Sequence, residues 1–285
     1  MSYNYLTKEA ILSFIKTSIE EDAGDGDHTS IASIPTGTIG RARLILKDEG
    51  VLAGIELAKC IFEYIDPSLQ LSILMKDGDT FEFEQIALTV SGSVHSILLA
   101  ERLVLNNMQR MSGIATYTHD LQHMITHTKA KILDTRKTTP NFRIMEKWAV
   151  AIGGGKNHRY GLFDMILLKD NHIDYSGGIK QALQNSKEYI RIHNKHLKIE
   201  IETRTLKEVE EALEEGGAFR IMLDNMTPDL MKKAVEIIGN KAETEASGGI
   251  TESSIVAVAE TGVDYISIGS LSHSYKSKDM SLKAY

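Results

Sequence analysis

From Lys131 onward the chain repeats one phrase six times: a short apolar run that closes on polar or charged residues, then a stretch with helical spacing. The runs fall at residues 131–135, 164–169, 197–203, 219–225, 241–247 and 263–270. Amphipathic stretches such as 205–215 and 227–238 lie between them, each opened by a threonine suited to cap a helix. Strands alternating with helices demand a parallel sheet, because a parallel partner is reached only by a long crossover. That sheet is either doubly wound or closed into a barrel, and the polar ends of the runs favour the barrel. In order they are Asp134, Arg136 and Lys137; Lys169, Asp170 and Asn171; Glu202; Asp224 and Asn225; Glu245 and Ser247; Ser267 and Ser270. A (β/α) barrel brings the C-terminal ends of its strands to one mouth, where ligands sit. Within residues 199–203, alternation puts Ile199 and Ile201 on one side and Glu200 and Glu202 on the other, so at least one carboxylate faces the interior.

The first part of the chain has another rhythm. Residues 7–19 carry Ile11, Ile15 and Ile19 at helical spacing, and the turn-rich stretch 21–30 ends that helix. Between residues 38 and 90 the text is β-branched and alternating, broken by Gly50, Gly54 and Gly78, with one helix at 56–64. An apolar helix over 94–111 leads through Gly113 into the second half. The expected organisation is an N-terminal α/β domain over residues 1–113 and a barrel over 114–270. With 42% hydrophobic residues in 285, each part can build its own core without disulfides or structural metal. The single cysteine, Cys60, excludes an internal disulfide, and with no apolar leader the reading is a reducing, cytoplasmic setting. No run approaches the roughly 18 apolar residues of a membrane helix. A net charge of −7 disfavours nonspecific nucleic-acid binding.

The scarce cations are not spread evenly. Between Asp134 and His172 stand seven Lys or Arg against four Asp or Glu, which leaves the remainder of the chain at −10. Arg143, Glu146 and Lys147 at helical spacing suit ordinary ion pairing on a helix surface. Arg136 and Lys137 at a strand end suit an anion, because guanidinium groups bind carboxylate or phosphate in pairs of hydrogen bonds and lysine adds a point charge. A second signal is Ser247-Gly248-Gly249 followed by a helix, then Gly269-Ser270 after the last run. Glycines admit a phosphate to the backbone, and helix N-termini offer N–H groups to it.

Taken together, the blocks Asp134-Thr135-Arg136-Lys137-Thr138-Thr139-Pro140, Gly153-Gly154-Gly155, Asn157-His158-Arg159, Lys169-Asp170-Asn171-His172, Leu223-Asp224-Asn225 and Glu245-Ala246-Ser247-Gly248-Gly249-Ile250 resemble quinolinate phosphoribosyltransferases. The resemblance implies an α/β fold: an N-terminal α/β sandwich domain, with the tail 271–285 packed back on it, followed by an incomplete TIM-like (β/α) barrel. It implies transfer of phosphoribosyl from 5-phosphoribosyl 1-pyrophosphate to quinolinate with decarboxylation, the step of NAD biosynthesis that yields nicotinate mononucleotide. By the matching blocks, Thr135, Arg136, His158, Arg159 and Lys169 would take quinolinate. Arg102 would come from the other subunit of a homodimer, with larger assemblies left open. Lys137, Glu202, Asp224, Ser247, Gly248, Gly249, Gly269, Ser270 and His273 would take phosphoribosyl pyrophosphate. Glu202 and Asp224 would meet its ribose or its Mg²⁺, and Lys137, Lys169, Glu202 and Asp224 would be the catalytic set. Asn141 stands where the family pattern has glycine, and asparagine tolerates a left-handed backbone better than most residues.

Other features are set aside. His119, His123 and His127 share a helical spacing but lack the further ligands of a zinc site. Asp22, Asp25 and Asp27 suggest a calcium loop, yet Ser33 occupies the position of its closing glutamate. A phosphate-binding scaffold without catalysis would not need both the dicarboxylate-type cations and Glu202 with Asp224.

Overall fold

The computed structural model describes residues 4–285. Two compact units emerge: one joins the chain up to His119 with Thr138–Gly154 and Leu271–Tyr285, the other joins Asp120–Lys137 with Gly155–Ser270. The segment Thr138–Gly154, expected in the barrel, therefore clusters with the first unit.

In the first unit, α1 (Lys8–Ala23) starts where the Thr7 side chain accepts the Ala10 N–H at 3.2 Å. It outlasts its expected end by a turn. α2 (His28–Ser33) lies in the expected turn, and Asp27 caps it by accepting the Ser30 N–H at 3.1 Å. The acidic stretch thus serves a helix terminus. Then follow β1 (Ile39–Leu46), β2 (Gly50–Val51), α3 (Ile55–Ile65), β3 (Gln70–Ile73), β4 (Thr80–Phe81), β5 (Ile86–Ser93) and α4 (Val94–Met124). β1 pairs antiparallel with β5 on one edge and, on the other, with a strand at Met280–Ala284, while β3 extends β5. Alternation buries Ala42, Leu44 and Leu46, and the register sets Leu282, Leu44 and Leu88 abreast across three strands. Each such fully buried leucine contributes roughly 1.5–3 kcal/mol.

Gly113 does not end its helix. α4 passes straight through it, and a Cβ at Gly113 would lie 2.3 Å from the Lys276 carbonyl oxygen. The glycine admits the returning C-terminal segment against the helix, a close approach that a side chain would block.

The second half supplies β6 (Lys131–Leu133), α5 (Arg143–Ile152), β7 (Ile166–Leu168), α6 (Asp170–Ser176), α7 (Ile179–Ile192), β8 (Ile199–Thr203), α8 (Leu206–Glu215), β9 (Arg220–Asp224), α9 (Pro228–Ile238), β10 (Glu243–Ser247), α10 (Ile255–Ala259), β11 (Tyr265–Ser267) and α11 (Ser270–His273); the strand at Met280–Ala284 is β12. Thr205 and Thr227 cap α8 and α9 as their positions foretold. The six-stranded sheet is wholly parallel in the order β6-β11-β10-β9-β8-β7. From β8 to β11 each strand pairs with its predecessor, and β11 returns to β6. A doubly wound sheet reverses its order at a switch point, whereas this order is circular with one seam, between β6 and β7. At the seam the Lys156 N–H donates to the Ile132 carbonyl at 2.8 Å, so residue 156 lines the open edge of β6. Among the described residues no helix is long and apolar enough to cross a membrane.

Candidate active site

The strands are shorter than the apolar runs, so the polar residues stand at or just beyond their C-terminal ends. After β6, Arg136 and Lys137 are exposed, and the half-buried Thr135 hydroxyl accepts the Lys137 N–H at 3.0 Å. Arg159 is half-buried, and its Nη1 donates to the Met165 carbonyl at 3.1 Å. Burial first, and the charge of Arg136 next, lower the pKa of the Arg159 guanidinium, against the pull of Glu200 and Asp164. Two arginines near enough to repel each other mark a place for an anion. Lys169 follows β7 and is exposed, with its N–H held by His172 Nδ1 at 3.0 Å.

Glu202 near the end of β8 is only 7% exposed. Burial and the neighbouring Asp224 raise its pKa, while Lys169 opposes them. Asp224 closes β9, accepts the Asn225 Nδ2–H at 2.5 Å, and pairs in register with Ser247 on β10. Glu202, Asp224 and Lys169 thus belong to one electrostatic neighbourhood at the barrel mouth. The two carboxylates repel each other there, and oxygen donors of that kind suit a hard divalent cation.

The glycine loop is shaped from its neighbour. Asn225 has φ 54°, and its N–H donates to the Ser247 carbonyl at 2.9 Å. Gly248 has φ 99°, and a Cβ there would meet Asn225 Oδ1 at 2.3 Å. Only glycine fits. The helix expected after Thr251 begins at Ile255, because the Ser254 hydroxyl first accepts the Thr251 N–H at 3.0 Å in a turn. Any amide donors for a phosphate in this loop come from irregular backbone, whereas Ser270 opens α11 directly.

Below the mouth lies a cluster that the sequence reading missed. Both glutamates of β8 point inward, since Glu200 is fully buried as well. Arg220 Nη1 lies 2.9 Å from Glu245 and 3.7 Å from Glu200, and its Nη2 lies 2.8 Å from Glu243. Its guanidinium stacks on the rings of Tyr265 at 4.2 Å and Phe219 at 5.0 Å. His158, expected to offer its ring to substrate, has a side chain only 6% exposed, with Nε2 3.1 Å from Glu200 and 3.4 Å from Glu245. Burial alone would lower the ring's pKa, while the two carboxylates raise it. Burial and the charge of Glu245 push Glu200 up to about 7. Burial would also raise Glu245, yet His158 and Arg220 hold it below the usual carboxylate range. His158 Nδ1 accepts the Arg159 N–H at 2.7 Å, a bond only an unprotonated Nδ1 can make, so the geometry places the ring's proton on Nε2, toward the two carboxylates. His158, Glu200 and Glu245 bring ligand-type atoms within 4.8 Å of one another. Arg220 already supplies the compensating charge, which makes the cluster an ion-pair network.

Arg102 on α4 and His273 at the end of α11 are exposed and belong to the first unit. Asp134 is buried and serves as a clip, accepting the Asn157 Nδ2–H at 2.6 Å and the His158 N–H at 2.8 Å. His127 pairs with Glu260 at 3.2 Å. Asn141 has φ 62°, the left-handed backbone foreseen for it.

Comparison with known proteins agrees with this geometry. Residues 27–112 match the quinolinate phosphoribosyl transferase N-terminal domain, and residues 114–283 match the C-terminal domain of the same family. The chain is 46% identical over 284 residues to the chloroplastic nicotinate-nucleotide pyrophosphorylase [carboxylating] of Arabidopsis thaliana, covering 94% of this chain and 81% of that protein. Quinolinate phosphoribosyltransferase [decarboxylating] 1b of Nicotiana tabacum is 46% identical over 287 residues, with the same coverage of 94% and 81%. The crystal structure of NadC from Streptococcus pyogenes superposes with a TM-score of 0.92 at 36% identity, covering all of both chains. By both domain models and by full-length likeness, the chain belongs to the quinolinate phosphoribosyltransferase family.

Proposed function

We propose that the protein transfers the phosphoribosyl group of 5-phosphoribosyl 1-pyrophosphate to quinolinate with loss of CO₂, forming nicotinate mononucleotide and pyrophosphate for NAD biosynthesis. The observation that carries this reading is the barrel mouth: cations on the β6 and β7 ends and at Arg159, facing a chemistry that needs two polyanions side by side, with Glu202 and Asp224 close by.

Arg136, Arg159 and Lys169 bind the two carboxylates of quinolinate, with Thr135 and His158 beside them and Arg102 contributed by a second copy in a homodimer. Lys137, the Ser247–Gly249 loop, Gly269, Ser270 and His273 bind phosphoribosyl pyrophosphate. Held in line, the pyridine nitrogen attacks the anomeric carbon as the pyrophosphate C–O bond breaks, so the protein supplies position and field rather than a nucleophile. Glu202 and Asp224 favour the cationic ribose of the transition state, and Lys137 steadies charge on the leaving pyrophosphate. The same carboxylate pair would hold Mg²⁺, directly or through water, and the ion when bound supplies further charge for the pyrophosphate. The resulting pyridinium accepts the electron pair released as the 2-carboxylate leaves as CO₂, and a proton replaces it. We place the enzyme in the cytoplasm, on its single cysteine.

Incubation with quinolinate, phosphoribosyl pyrophosphate and Mg²⁺ tests the reading. Equal amounts of nicotinate mononucleotide and CO₂ are expected, and binding of both substrates without either product would overturn it. Activity recovered on mixing inactive Arg102→Ala and Lys169→Ala proteins would establish the shared site, and none after verified subunit exchange would refute it.

A further inference from the structure

We propose that Glu245 and Glu200 are positioning residues for the pyridine dicarboxylate: from the barrel floor they fix the His158 ring, and through it the main chain of Arg159, so that the Arg159 guanidinium is aimed before substrate arrives. The inference rests on the quinolinate reading above and adds residues to it.

The connection can be followed atom by atom. Both glutamates are fully buried, and their carboxylates lie 3.4 Å and 3.1 Å from His158 Nε2. On its main chain His158 is tied to Asp134 at 2.8 Å, and its other ring nitrogen accepts the Arg159 N–H at 2.7 Å. The far end of Arg159 is tied to the Met165 carbonyl at 3.1 Å. Residue 158 is thus held at ring and backbone, and residue 159 at backbone and guanidinium.

A carboxylate pair beneath a site for a dianion weakens the site's positive potential, so affinity alone gives no reason to keep it. Arg220 below the pair, tied to Glu243, Glu245 and two aromatic rings, supplies the charge that lets it stay buried. What the arrangement provides is a fixed imidazole, and a group fixed by packing and buried ion pairs loses less freedom when ligand binds.

The test uses the full-length enzyme and calorimetric titration with each substrate separately. Glu245→Gln and Glu200→Gln keep side-chain shape and remove one charge. Each is expected to weaken quinolinate binding by about tenfold or more while phosphoribosyl pyrophosphate affinity moves less than about twofold. In a His158→Gln background the same two changes should add nothing further to the quinolinate loss, because the effect is routed through that ring. Equal losses for both substrates, losses that add in full to that of His158→Gln, or unchanged binding would each overturn the proposal. Wild-type protein gives a version independent of variant folding. Saturation with quinolinate should shift the ¹⁵N signals of the His158 ring and slow exchange of the Arg159 amide, and signals that stay put would overturn it. Failure of wild-type protein to bind quinolinate at all would instead sink the functional reading.

Discussion

Floor and mouth of the same barrel use the same residue types to opposite ends. On the floor Arg220 and His158 meet Glu200, Glu243 and Glu245 within ion-pair distance, and the charges are answered inside the protein. At the mouth Arg136 bears on Arg159 and Glu202 on Asp224, like charge against like. Buried charge left to a partner that has yet to arrive is a mark of a binding site, whereas buried charge already matched is architecture. The contrast also explains why ligand-type geometry alone misleads, since the histidine–carboxylate cluster found among the described residues belongs to the floor.

The largest effect should follow from breaking the floor. Arg220→Met strands buried carboxylates and is expected to destabilise the fold by about 3–5 kcal/mol in urea unfolding, with no recovery on adding substrates. A loss below about 1 kcal/mol would mean that the floor is not a matched network. Next is the mouth: Asp224→Ala should lower kcat by roughly 10²–10³ with stability little changed, measured by steady-state kinetics and thermal unfolding. Arg159→Ala should raise KM for quinolinate by about tenfold to a hundredfold and leave that for phosphoribosyl pyrophosphate nearly as it was.

The floor also predicts a pH dependence. Burial and Glu245 push Glu200 up to about 7 from 4.5, so it favours the fold less as pH climbs from 4.5 to 7. Unfolding free energy should therefore fall between about pH 4.5 and 7, and Glu200→Gln should flatten that fall. The smallest change belongs to the mouth: Glu202→Gln relieves the repulsion from Asp224 and should stabilise the fold by up to about 1 kcal/mol while activity drops. Destabilisation would place Glu202 with the matched charges instead.

Much of this was legible in the residues. The repeated run and helix fixed a parallel sheet, Thr205 and Thr227 marked helix starts, and the strand ends pointed to the mouth. What escaped depends on neighbours distant in sequence. Gly113 reads as a break until the Lys276 carbonyl is seen against it. Arg220 drew no notice because one arginine opening a strand looks like a solvated end, and His158 reads like a donor to substrate because its carboxylate partners lie 42 and 87 positions away. A signal did exist: Glu200 and Arg220 are direct partners in the β8–β9 register. Aligning inward positions of adjacent strands would have put opposite charges together before any coordinates.

The pairing of β12 with β1 means that the earliest sheet to leave the ribosome is among the last to be finished. Until residues 280–284 have been synthesised, one flank of β1 offers unsatisfied amides and carbonyls to any passing strand. A nascent chain of this kind is exposed to stray pairing throughout synthesis of the barrel, and loss of residues 280–284 would strip a partner from the sheet that β1 began.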